Sequence, residues 1–339
     1  MNALKLAGTG AACLCAVMAM AAQTPPLRLV ARYAMPASVT GRFDHLTADV
    51  AGNRLFLAAE SAHQVLIFNL RSGRYERAIA GIRIPHAVFV RPDLNRIYIT
   101  DGGAGALKVF DGATYKLLQS VPLKVDADSI GYDPAAHTLY IDSGGGDAGE
   151  PFSMFTAVNT DSGAKTADMK IDGDTLEAMA LARHSPLIYI NNRAKNQITV
   201  VDRRTHRIVA SWPVTLAKVN VAMALDEADG RLFIGCRSGA IVVFDTRSGR
   251  ELQALPIPPG VDDLIFDAGR RRLYAATGSG AGVIAVYQEQ SPNRYALLGD
   301  VAAAPGAKNE VLAPRLHRLY TTIPPRPGRA GAVYVYRVQ

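Results

Sequence analysis

The sequence predicts an all-β chain folded as one seven-bladed β-propeller, with four-stranded blades and a ring closed by the N-terminal strand completing the last blade. Three observations predict it. One sequence unit recurs seven times; each unit reads as four short strands; and the last unit is one strand short while a spare strand precedes the first.

The repeats begin "FDHLTADVAGNRLFLAA" (43–59), "PHAVFVRPDLNRIYIT" (85–100), "ADSIGYDPAAHTLYID" (127–142) and "LEAMALARHSPLIYIN" (176–191). They continue with "VAMALDEADGRLFIGC" (221–236), "VDDLIFDAGRRRLYAAT" (261–277) and "NEVLAPRLHRLYTTI" (309–323). Their shared aromatic falls at Phe56, Tyr98, Tyr140, Tyr189, Phe233, Tyr274 and Tyr320, spaced by 42, 42, 49, 44, 41 and 46 residues. In each unit an apolar first run passes through an Asp/Pro/Asn/Gly turn into a second strand carrying the aromatic. An alternating third strand follows, as in "QVLIFNL" or "AIVVFDT", and a polar turn such as "RSGR" or "RTHR" opens the fourth. Short strands punctuated by turn residues at this period are the propeller pattern. The seventh unit ends at its third strand, "AVYVYRVQ", and "LRLVARYAMP" (27–36) is the available fourth. Joining the two ends removes the exposed sheet edges that invite aggregation.

The cadence of "NRLFLAAESAHQVLIFNLRSGR" (53–74) and "GRLFIGCRSGAIVVFDTRSGR" (230–250) resembles the YncE-like or YVTN family of exported bacterial propellers. That resemblance implies the same fold and a binding or scaffold role. Lactonases and lyases occur on similar propellers, so the fold does not choose an activity.

Lys5, the small and apolar stretch from Leu6 to Met20, and Ala19-Met20-Ala21 form the charged, apolar and A-x-A regions of a secretory signal peptide. The reading is a signal peptide over 1–22 and the propeller over 23–339, hence a periplasmic or secreted protein. The leader's apolar stretch is too short, and too interrupted by Gly8, Thr9 and Gly10, for a spanning helix. No transmembrane segment is expected in the mature chain. Of three cysteines only Cys236 lies beyond the leader, so no internal disulfide is available and a buried, inert thiol is expected. The net charge of +7 is modest for 339 residues, and the basic stretches "GRRRLY" and "PPRPGR" sit in turn-like segments. No nucleic acid partner is expected.

In a propeller the first strand of each blade lines the central channel, which assigns a side to each polar residue. His137, His184, His206 and His317 fall in turns on the far face, with Asp49, Asp93, Asp133, Asp226 and Asp267 in ordinary turn roles there. His63 lies in a near-face loop, and the glycine-rich "DSGGGDAGEPFSMF" (142–155) is long enough to overhang the channel mouth. A separate set stands where the chain starts each channel strand. Aligned on the shared aromatic, one position carries Asp44, His86, Asp128, Glu177, Val221, Asp262 and Lys308. The next carries His45, Ala87, Ser129, Ala178, Ala222, Asp263 and Asn309; Asp126 precedes this ring and Glu310 follows it.

Acids and imidazoles around one axis repel unless cations, protons or hydrogen bonds offset them. One reading is structural: the acids cap backbone groups or pair with Lys308, Arg193, Lys195 or Arg237. The functional reading takes Asp44, His45, His86, Asp126, Asp128, Glu177, Asp262, Asp263 and Glu310 as candidates for a ligand or divalent metal. Ca²⁺ would favour the oxygens and Zn²⁺ the imidazoles. No other cofactor is implied. The expected function is an exported, monomeric propeller that binds a small molecule, a divalent metal or another exported protein at this mouth. The alternatives are a metal-assisted lactonase, lyase or related hydrolase using the same residues, and an interaction scaffold with no small-molecule site.

Overall fold

Turn residues cut the chain into strands of four to nine residues, which assemble into seven antiparallel four-stranded sheets. The computed structural model describes residues 24–339, so the leader expected over 1–22 lies outside the described residues. Blades one to six span 46–79, 85–122, 130–172, 176–213, 220–256 and 261–302, each a simple up-and-down meander. The seventh takes Glu310–Ala313, Arg318–Ile323 and Ala332–Val338, and its outer strand is Leu27–Ala34. That strand pairs from Leu27 opposite Val338 to Ala34 opposite Ala332, with one register shift between Leu29 and Ala31. The chain ends therefore close the ring as expected. Among the described residues no helix is long and apolar enough to cross a membrane.

Alternation along each strand gives both faces of a blade apolar side chains, and each face packs on a neighbouring blade. Seven larger apolar clusters result, one at each blade junction. The shared aromatics are all buried in them. The phenol groups need partners once inside, and Tyr98 donates to the Thr160 carbonyl of the next blade at 2.7 Å.

Glycine is needed where the backbone closely approaches another segment. Gly282 has φ +73°, and a Cβ there would lie 1.8 Å from the Ala304 carbonyl oxygen. Gly282→Ala is therefore expected to lower stability by about 1–3 kcal/mol, read from urea unfolding.

Candidate functional site at the channel mouth

In four blades a backbone irregularity sets the ring position toward the channel, whereas in blades one, three and seven that position precedes the first strand. In blades two, four, five and six the pairing of first and second strands shifts between Pro85 and Val88, Leu176 and Met179, Asn220 and Ala222, and Val261 and Leu264. His86, Glu177, Val221 and Asp262 occupy these bulges. A bulge leaves residues outside the ladder and redirects their side chains. The freed backbone groups are met by second-strand side chains. Ala87 N–H donates to Thr100 Oγ1 at 2.9 Å; in blade three, which has no bulge, Ser129 N–H just before the first strand donates likewise to Asp142 Oδ1 at 2.7 Å. Asn191 Nδ2 donates to the Val221 carbonyl at 2.8 Å.

All seven ring positions border one cavity of about 330 Å³ at the channel mouth. Near-face loops add Arg42, Glu60, Gly146, Asp147 and Asp174, so the long glycine-rich insertion does reach the mouth. Asp126 also faces it. Asp263 lies deeper, on a second cavity of about 230 Å³ with Thr47, Val88, Phe89 and Ile130. Glu310 lines neither; it is buried, and both its carboxylate oxygens lack a hydrogen-bond partner.

The mouth has two unlike halves. On one, Asp262 pairs with Arg237 and Lys308 and accepts from Asn309 Nδ2 at 3.1 Å. Burial alone would raise its pKa, but Lys308 and Arg237 outweigh that and lower it. Glu177 pairs with Arg193 at 2.9 Å, whereas Lys195 turns away to Asp172. Asp262 is thus neutralised by the protein itself, whereas burial raises the Glu177 carboxyl despite Arg237 and Arg193.

The other half carries the imidazoles. His86 Nδ1 lies 2.6 Å from Asp44 Oδ2 and 3.7 Å from Asp128 Oδ1. His45 Nδ1 lies 3.0 Å from Asp263 Oδ1, leaving Nε2 toward Asp44 Oδ1 at 3.6 Å. One donor atom from each of Asp44, His45 and Asp128 falls within 4.8 Å of the others. Asp128 Oδ1 is buried and has no hydrogen-bond partner. Burial, reinforced by Asp44 and Glu177 and opposed by the histidines, pushes the Asp128 carboxyl up to about 7. Asp142 behind it is also raised, by burial and then Asp128. Asp44 goes the other way, because His45, His86 and Lys308 outweigh its burial.

His86 is raised from 6.5 to about 9, since Asp44, Asp128 and Asp126 overcome the effect of its burial. In the folded chain the imidazole keeps its proton to about pH 9; unfolded, it releases it near 6.5. Its stabilisation is therefore complete below pH 6.5 and lost as pH rises to 9, by about 3 kcal/mol at 1.36 kcal/mol per unit. His45, raised well above 6.5 by Asp263 and Asp44 against its burial, acts in the same direction. Unfolding of metal-free protein at pH 6.5 and 9 should show this fall, and His86→Gln should reduce it.

The remaining histidines and the cysteine are in the expected roles. His137 pairs with Asp161 and His184 with Glu227 at exposed far-face turns. Cys236 is buried, which pushes its thiol up to about 12. Sequence reasoning passed over Asp142, Thr100 and Asn191, whose signal was their shared place two residues beyond the aligned aromatic.

No protein-family model matches the chain. Two curated relatives, the uncharacterized proteins YncE of Salmonella typhi and of Salmonella typhimurium, are each 31% identical over 101 residues. Each match covers 29% of this chain and 28% of the relative. The chain is thus similar to YncE over one stretch. Among solved structures, a chain of a mitotic checkpoint complex superposes with a TM-score of 0.73 and 14% identity, covering 100% of this chain and 98% of that one. That likeness is one of fold alone and does not fix an activity.

Proposed function

We propose that this is an exported binding propeller whose channel mouth holds a divalent metal through Asp44, His45 and Asp128 and presents it to a small polar ligand. The observation that carries the reading is the buried, unpartnered Asp128 Oδ1 beside the Asp44 and His45 donors. A buried carboxylate oxygen without a partner is costly, and a cation at this point would satisfy it. Two further contacts suit a metal. Asp263 orients His45 through Nδ1, and His86 holds Asp44, which is the kind of outer-shell support that metal ligands receive. An imidazole among two carboxylates favours Zn²⁺ over Ca²⁺.

Calorimetric titration of metal-free protein with Zn²⁺ tests this. One equivalent should bind to the wild type, with affinity reduced about tenfold or more in Asp128→Asn. Equal binding by both proteins would refute the assignment.

The Asp44–His86 pair at 2.6 Å favours a second reading, a metal-assisted hydrolase or lyase in which this pair moves the proton. A panel of lactones and esters assayed with and without Zn²⁺ separates the two: turnover that disappears in His86→Gln supports the enzyme, and no turnover leaves the binding propeller.

A further inference from the structure

A second acidic cluster lies on the opposite face, between blades five and six, remote from the channel mouth. One oxygen from each of Asp226, Asp229 and Glu289 falls within 4.8 Å of the others. We propose that these three carboxylates form a Ca²⁺ site that ties blade five to blade six.

The internal repeat supplies the first ground. Asp226 ends the first strand of blade five opposite Arg231, as Asp133 ends that of blade three opposite Thr138. Glu289 follows Gln288, the partner of the second strand's first residue, as Arg203 follows Asp202 in blade four. The same inter-blade position therefore holds two pairs of opposite character. Between blades three and four, Asp133 meets Arg203 at 2.9 Å and the charges cancel. Between blades five and six, the guanidinium is replaced by a third carboxylate, and Asp226 faces Glu289.

Burial supplies the second ground. Asp226 is 4% exposed and Glu289 2%, yet Asp226 Oδ2 and Glu289 Oε2 have no hydrogen-bond partner. Among the described residues, Arg271 is the cation that reaches the cluster. It pairs with Asp229 and lies 3.1 Å from Glu289 Oε2 without making a hydrogen bond there. Arg231 is committed to Asp245, the Pro292 carbonyl and Asn293. One guanidinium against three carboxylates leaves a deficit of positive charge inside a junction. An all-oxygen donor set at this spacing suits a hard cation, and Ca²⁺ is tolerant of its irregular geometry. Asp229 is partly exposed and gives the ion a route in.

The test is thermal unfolding of the full chain in EGTA and in excess Ca²⁺. The wild type should gain about 5 °C in Tm at calcium a hundredfold above Kd. Glu289→Gln and Asp226→Asn should lose that gain, and Asp44→Asn at the channel mouth should keep it. In EGTA, Glu289→Gln should be at least as stable as the wild type, because it removes a buried like charge. No calcium shift in the wild type, a shift retained in both Glu289→Gln and Asp226→Asn, or its loss in Asp44→Asn would each overturn the proposal.

Discussion

A chain beginning after Ala34 is expected not to reach a cooperative monomeric fold. The missing strand is the outer edge of blade seven, and it supplies Leu27 and Tyr33 to the two junctions flanking that blade. Tyr33 also donates to the Leu70 carbonyl at 2.7 Å, linking blade seven to blade one. Without it, Ala332–Val338 becomes an exposed apolar edge, the kind of edge that recruits other chains. Size-exclusion chromatography and circular dichroism should show aggregation and loss of a sharp transition. Wild-type unfolding by the shortened chain would contradict ring closure as a condition of stability.

The second large effect is at the mouth. Asp262→Ala leaves Arg237 and Lys308 facing each other without their shared carboxylate. Removing one partner of a buried ion pair costs about 3–5 kcal/mol. Arg237 and Lys308 are each about one-third exposed and regain some hydration, so the loss should be at the low end, about 3 kcal/mol. Urea unfolding checks this, and a loss below about 1 kcal/mol would mean that the pairing does not hold this half of the mouth together. Asp262→Ala should leave Zn²⁺ binding near Asp44 in place, since Asp262 belongs to the half that the protein neutralises itself.

Much of the fold was legible because it is periodic. The aromatics from Phe56 to Tyr320 fall at one register, and that register also predicted the strand borrowed from the N-terminus. The ring from Asp44 to Lys308 was legible for the same reason, since equivalent positions in a propeller share one axis. Within it, sequence could not distinguish acids that are already paired from those that are not. Asp262 and Asp128 are equivalent in register, yet one meets two cations and the other has an oxygen with no partner. The difference depends on Arg237 and Lys308, which come from other segments.

The bulges were not legible either. They follow Pro85, Leu176, Asn220 and Val261, which share no residue type, so backbone register alone reveals them. They also separate neighbours that look alike in sequence. Asp262 faces the mouth, whereas Asp263 sits deeper, bonding the Glu310 N–H at 2.9 Å and His45. The far-face acids have the sequence pattern of ordinary turn residues, which Asp226 is through Oδ1; its second oxygen faces Glu289, which comes from the next blade.

The proposed function rests on a metal held by Asp44, His45 and Asp128. Its most direct test is metal analysis of protein prepared without a polyhistidine tag or chelator, comparing the wild type with Asp128→Ala. About one zinc per chain in the wild type, absent from the variant, is the predicted result. No zinc in the wild type, together with unchanged or higher thermal stability in Asp128→Ala, would contradict it.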